Sequence, residues 1–228
     1  MDGLLVMDKP GGMTSRDVVN RVQRWFPRRT KIGHTGTLDP LATGVLVLCV
    51  GRATKFVERV QNMGKTYRTR LLLGATSDTD DADGAVTPVP DAPVPTPEQI
   101  RTLLPTFVGR IEQVPPAYSA LKVGGVRAHA LARGGKEVTL AARPVDVYSV
   151  TLIGYEWPSL DLEIECGKGT YVRSIGRDLG AGLGCGALVQ SLRRTRVGPF
   201  TAEQGIGVDV PAEVGRGRLL PVSMLEAR

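Results

Sequence analysis

Three cysteines are all this chain has, Cys49, Cys166 and Cys185, and no two of them form a C-x-x-C pair. An odd, widely spaced set of thiols offers neither a disulfide framework nor a structural zinc site, so buried thiols are the expectation. Long apolar runs are equally scarce, and none reaches the ~18 residues that a bilayer-spanning helix needs. The start, Met1-Asp2-Gly3-Leu4-Leu5-Val6-Met7-Asp8-Lys9, lacks the basic opening and extended apolar stretch of a signal peptide. No membrane partner is expected, and the default location is the cytoplasm. Two suggestive strings also fall short of their motifs. Ser77 to Gly84 is rich in aspartate, but an EF-hand loop begun at Asp78 puts Ala82 at the fifth ligand position, and one begun at Thr79 puts Pro90 where the bidentate glutamate belongs. No metal site is expected there. Gly167-Lys168-Gly169-Thr170 is not a P-loop, because no Gly-Lys-Ser/Thr follows a glycine at the required distance.

What the chain does have is charge of one sign and one long polar string. Lysine and arginine number 29 against 23 aspartates and glutamates, and the net charge of +6 favours a polyanionic partner. With 228 residues, 42% of them hydrophobic, a sizeable core is within reach, and one domain with a stiff internal connection is expected. The string runs from Gly33 to Leu46, Gly-His-Thr-Gly-Thr-Leu-Asp-Pro-Leu-Ala-Thr-Gly-Val-Leu. It follows the cations Arg21, Arg24, Arg28, Arg29 and Lys31 and leads into the apolar run 45–50, which reads as a strand buried on both faces. Pro40 pushes Asp39 out of the helical region, so its carboxylate is expected on a stiff, extended loop rather than on a helix.

Around that string the pattern predicts a first strand at 3–9 and a helix capped by Thr14 or Ser15, with Val18, Val19, Val22 and Trp25 inward and Arg16, Arg21 and Arg24 outward. Residues 65–73 and 145–153 read as strands, as does 161–166, whose alternation turns Leu162, Ile164 and Cys166 inward. The five prolines between 88 and 97 predict an extended surface excursion, closed by a helix with Thr96 as N-cap, Pro97 in its first turn and Gln99 completing a capping box. The basic, glycine-rich stretch 123–136 has the composition of a mobile loop that closes over a ligand, and composition fits a plain surface hairpin equally well. Ser174 is expected to cap a helix to about Leu179, and a second helix is expected to end in Leu192-Arg193-Arg194-Thr195-Arg196. The tail beyond Val197 is too weakly patterned to assign.

The string at 33–46 resembles, nearly residue for residue, the motif of the TruB-type tRNA pseudouridine synthases. Further matches follow in the family's order at Lys65-Thr66-Tyr67-Arg68, at Ser77 to Gly84, at Tyr118 to Lys122, at Cys166 to Arg173 and at Leu192-Arg193-Arg194. The resemblance implies an α/β (α+β) fold of the pseudouridine synthase type, a mixed, mostly antiparallel sheet flanked by helices and loops. It implies a single catalytic domain over 1–228 with an RNA-binding loop at about 122–142, acting as a monomer on the T-arm of tRNA. The reaction implied is isomerisation of the uridine at tRNA position 55 to pseudouridine, without a cofactor.

Residue by residue, the resemblance makes Asp39 the catalytic carboxylate, attacking ribose C1′ or uracil C6 or stabilising a glycosyl cation, with the three routes left open. Tyr67 would stack on the flipped uracil and Arg173 would hold the carboxylate ionised and aimed. Tyr171 and Leu192 would line the pocket, His34 would fill the gap in the RNA stack, and Asp81 matches an acidic position near the site. Lys65, Lys122 and Arg133 complete the substrate-binding set. The chain departs from the family at His129, where an aromatic is usual, and at Leu188, where a histidine is usual. It stops at Arg228, near where the family's C-terminal RNA-binding PUA domain begins, so that domain is expected to be absent or truncated. The competing reading is a non-catalytic RNA-binding or RNA-folding protein that uses the same basic cleft. The combination of a carboxylate with Tyr67 and Arg173 favours the enzyme, since phosphate binding alone has no use for a negative group.

Overall fold

The computed structural model describes residues 1–119 and 140–225, together with the backbone of 122–123 and 126–127. The loop expected at 122–142 falls largely outside the described residues, as do Arg133, His129 and the side chain of Lys122. Two units divide the chain: Met1–Arg68 with Leu192–Arg228, and Thr69–Ser191.

The first unit is built on the apolar run that ends the polar string. Strand β3 (Thr43–Val50) is buried along almost all of its length, with Val45 to Val50 at 0% exposure. Such a strand needs apolar cover on both faces and partners at both edges. One edge takes β1 (Gly3–Lys9), antiparallel, from Gly3 opposite Val50 to Lys9 opposite Gly44. The other edge is shared. The short β2 (Ile32–His34) pairs antiparallel with its end, and β12 (Ala187–Val197), which runs through both units, pairs parallel with its start at Thr43 and Gly44. Gly44 has φ +99, and a Cβ there would stand 2.2 Å from the carbonyl oxygen of Arg194, so only glycine admits this approach. Leu4, Val6, Val45, Val47, Cys49, Val197 and Phe200 form one core cluster.

Helix α1 (Ser15–Gln23) is capped as expected by Thr14, whose hydroxyl accepts from the Asp17 amide while the Asp17 side chain accepts from the Thr14 amide. Its inward residues are Val18, Val19 and Val22, and Trp25 beyond it is buried too. Arg16, Arg21 and Arg24 are exposed. The unpatterned tail has a definite job. Leu220 exchanges two backbone hydrogen bonds with Leu4, and Ile206 accepts from the Asp8 amide, so the tail covers the outer edge of β1. An uncovered edge would template pairing with another chain.

In the second unit β12 and β4 (Lys65–Leu73), the other strand common to both units, are followed by β11 (Ser159–Cys166), β10 (Arg143–Glu156) and β7 (Gly109–Gln113). The β10–β11 and β10–β7 pairs are antiparallel. The alternation in β11 is as expected, with Leu162, Ile164 and Cys166 buried. Helix α3 (Pro97–Leu103) carries the predicted capping box of Thr96 and Gln99. Part of the proline-rich excursion is ordered into a strand: β6 (Val86–Pro88) pairs with β5 (Ala75–Ser77).

Two sequence expectations are corrected here. The stretch ending in Leu192-Arg193-Arg194-Thr195-Arg196 is not a helix but the strand β12. The helix expected from Ser174 begins earlier, as α4 (Val172–Gly182) with Tyr171 at the N-cap. Ser174 lies inside it, and its hydroxyl donates to the Val114 carbonyl instead of accepting from an amide at the helix start.

Candidate active site

Asp39 sits, as expected, on irregular backbone between β2 and β3 and is partly exposed. Its loop is gripped through the main chain from several directions. The Ser15 hydroxyl, on the first residue of α1, donates to the Leu38 carbonyl (3.1 Å) and accepts from the Leu38 amide (2.8 Å). The Lys9 ammonium, fully buried, donates to the carbonyls of Pro10, Met13 and Pro40, while the Gly12 amide also donates to Pro40. The Asp39 carbonyl accepts from the Ala42 amide at 3.1 Å. At the start of the string, the amide and hydroxyl of Thr35 both donate to the Val47 carbonyl. Each of these replaces a bond to water that a solvated turn would make, and the result is a loop with few conformations left to it.

Strand β12 completes the grip. The Arg194 guanidinium donates from Nε to the Val45 carbonyl (2.7 Å) and from Nη2 to the Gly36 carbonyl (3.1 Å). Its central carbon lies 6.0 Å from the centroid of the Tyr67 ring. Arg193, one residue earlier and on the other face, makes a forked ion pair with Asp8 (2.9 Å to each oxygen). The first unit therefore brings together Asp39, Tyr67, Leu192 and His34 on elements that share hydrogen bonds. Tyr67 and Leu192 are each 8% exposed, and the Leu192 carbonyl accepts from the Thr43 hydroxyl. Nδ1 of His34 is buried without a hydrogen-bond partner among the described residues. Burial, followed by the nearby charges of Arg16 and Arg194, holds its pKa below 6.5, so the ring is a neutral, flat, largely apolar surface. Lys65 has a different setting: its ammonium donates to the carbonyls of Gln61 and Met63 at the end of α2 (Val57–Gln61).

The second unit gathers Asp81, Arg173 and Tyr171. Asp81 is 4% exposed and its carboxylate is enclosed: Oδ1 accepts from the Thr79 hydroxyl (2.6 Å) and the Asp83 amide (3.1 Å), and Oδ2 is 3.3 Å from Nη1 of Arg173. Arg173, also 4% exposed, donates to the carbonyls of Thr79 and Tyr118. One turn along the helix, Arg177 pairs with Asp80 at 2.9 Å, where burial pushes the carboxyl above its ordinary pKa against the pull of that arginine. The aspartate-rich turn is thus a folded unit held by arginines of α4. Tyr171 is fixed at the head of the same helix by Gln113, whose side chain accepts from its amide and donates to its carbonyl, and Arg143 stands over its ring at 5.2 Å.

Lys9, Ser15 and Arg194 were not among the expected site residues. The one available signal concerned Arg194: read as a strand, Leu192 and Arg194 fall on one face, and a charge beside an inward leucine marks a buried cation.

The architecture matches that of chains in two solved assemblies. A chain in the crystal structure of a Cbf5-Nop10-Gar1 complex superposes with a TM-score of 0.74 at 28% identity, covering 98% of this chain and 61% of that one. A chain in the structure of an H/ACA RNP bound to a substrate RNA containing 2′-deoxyuridine gives a TM-score of 0.69 at 26% identity, covering 98% and 60%. This chain spans about three fifths of the length of those solved chains. The sequence model of the TruB family pseudouridylate synthase N-terminal domain matches residues 24–172, and that of the tRNA pseudouridylate synthase B C-terminal domain matches 173–209. The tRNA pseudouridine synthase B of Aromatoleum aromaticum is 46% identical over 230 residues, 99% of this chain and 74% of its own length; that of Roseobacter denitrificans is 50% identical over 219 residues, 95% and 71%. The chain belongs to the TruB family of pseudouridylate synthases.

Proposed function

We propose that this chain isomerises the T-loop uridine of tRNA, position 55, to pseudouridine, with Asp39 as the catalytic carboxylate. The observation that carries the reading is the Asp39 loop itself: a partly exposed aspartate whose neighbours Leu38 and Pro40 are tied by buried Ser15 and Lys9. The reaction breaks the bond from ribose C1′ to uracil N1, turns the base and joins C1′ to C5; C5 gives up its proton and N1 takes one from solvent, so atoms and charge balance. It consumes nothing, so one anionic group and a platform for the base suffice. A stiff loop keeps the carboxylate at a fixed height over the sugar, which is where most of a positioned group's advantage lies.

The target base must leave its stack at a cost of a few kcal/mol, and stacking on an aromatic ring returns about 1–3 kcal/mol. Tyr67 is the proposed platform, with its phenol near C5. Neutral His34 replaces the extruded base in the RNA, a role suited to a ring that stays uncharged at neutral pH. Tyr171 and Leu192 are assigned to the pocket and Arg173 to the catalytic group, while Asp81 serves through its bond to Arg173. Lys65, Lys122 and Arg133 are assigned to substrate binding, with Lys65 acting through the turn it closes. The net charge of +6 supplies the attraction for the phosphate backbone. A monomer in the cytoplasm is the form proposed; among the described residues no helix is long and apolar enough to cross a membrane.

The test is to incubate the purified protein with T-arm RNA and map pseudouridine. Conversion is expected in the wild type. Asp39→Asn should lower the single-turnover rate by at least about 10³-fold while tRNA affinity stays within a few-fold, because the carboxylate contributes nothing to phosphate binding. Tight binding without conversion by the wild-type protein would replace this reading with that of an RNA-binding protein.

A further inference from the structure

Arg194 is 2% exposed, and among the described residues no carboxylate lies within ion-pairing distance of it. A buried cation without a counter-charge is costly, and natural cores seldom keep one unless it serves something. Arg193, its neighbour, shows the ordinary solution, a forked pair with Asp8. The partners of Arg194 are of another kind. They are the carbonyls of Gly36 and Val45, at either end of the Asp39 loop, and the face of the Tyr67 ring at 6.0 Å. Carbonyl dipoles and an aromatic quadrupole attract a cation only when they point at it, so the guanidinium is satisfied in one arrangement of loop and ring. Gly44, where a Cβ would stand 2.2 Å from the Arg194 carbonyl oxygen, lets β12 approach closely enough to deliver the side chain.

We propose that Arg194 is a positioning residue for the reaction: it locks the loop that presents Asp39 to the strand that presents Tyr67, so that carboxylate and platform hold one geometry through the chemical step. The proposal rests on the function proposed above. It assigns Arg194 no contact with RNA, and this separates it from the surface cations that set affinity. A planar fork is needed to reach both carbonyls, so lysine, with the same charge, is not an equivalent residue.

The experiment compares Arg194→Met and Arg194→Lys with the wild type in single-turnover conversion of T-arm RNA, RNA affinity, thermal melting and hydrogen exchange. Misplacement of a catalytic group by about 1 Å costs on the order of 10²-fold in rate. The expected result is a loss of about that size for Arg194→Met and of at least about tenfold for Arg194→Lys, with affinity within about threefold of wild type. Amides of residues 35–38 should exchange faster in both variants while those of β1 do not. A turnover rate per folded molecule within about twofold of wild type would overturn the proposal. So would a loss confined to affinity, which would make Arg194 a phosphate contact, or a failure of both variants to fold, which would make it a folding residue. If the wild-type protein itself converts no RNA, the proposed function fails; the exchange measurement still decides whether Arg194 fixes the loop.

Discussion

Two aspartates sit in irregular turns of this protein, and the tethers around them differ in kind. Around Asp39 the named tethers grip the main chain: Ser15 on Leu38, Lys9 and Gly12 on Pro40, Arg194 on Gly36. Around Asp81 the grip is on the carboxylate itself, through Thr79, the Asp83 amide and Arg173. The named tethers of the first arrangement act on the backbone and do not themselves depend on the charge at position 39. The second makes the turn depend on the charge at position 81. A catalytic carboxylate, which changes charge or bonding during turnover, calls for the first arrangement; a structural one permits the second. Asp39→Asn is accordingly expected to be the change with the largest effect on rate and little effect on melting.

Across the other pair a large loss of stability is expected as well. Arg173→Met strands a 4%-exposed carboxylate and removes the donors to Thr79 and Tyr118. Breaking a buried pair from one side costs about 3–5 kcal/mol. Urea unfolding should show that loss, and the double variant Asp81→Asn/Arg173→Met should recover part of it. If Arg173→Met melts like wild type yet no longer converts RNA, Asp81 is not the residue that arginine chiefly serves, and the contrast between the two aspartates collapses.

The legible half of this contrast was the local half. Glycines and Pro40 mark the Asp39 loop in the sequence because backbone conformation is a nearest-neighbour property, and the capping boxes at Thr14 and Thr96 were readable for the same reason. The tethers were not readable. Lys9 reaches Pro40 across 31 positions, Ser15 reaches Leu38 across 23 and Arg194 reaches Gly36 across 158. No periodicity encodes such pairs. The misreading of β12 has the same origin. Ala187, Leu188, Val189 and Leu192 fit helical spacing as well as a strand, and what decides between them is pairing with β3 and β4, elements far away in sequence.

A smaller change sharpens the comparison on the Asp39 side. Ser15→Ala removes both bonds to Leu38, which is 4% exposed, and leaves its amide and carbonyl unpaired. Leaving such groups unsatisfied costs about 1–3 kcal/mol. The Leu38 amide should exchange faster and turnover should fall by roughly tenfold, a smaller fraction of the misplacement penalty than Arg194 carries. Unchanged exchange at Leu38 would mean that Lys9 and Arg194 hold the loop without help from α1.

The smallest expected effect lies in pH. His34 has its pKa held below 6.5 by burial and by Arg16 and Arg194, so the folded protein binds fewer protons there than the unfolded chain does. The sign follows from linkage: the stabilisation is complete above the unfolded value of about 6.5 and is lost as pH falls through it toward the folded pKa. Asp80, pushed up by burial, works in the opposite sense. Melting temperatures should therefore decline between pH 7.5 and 5.5 by no more than about 4 °C, and His34→Gln should flatten that slope. The chain has one other histidine, His129. A slope that survives in His34→Gln would move the titration there.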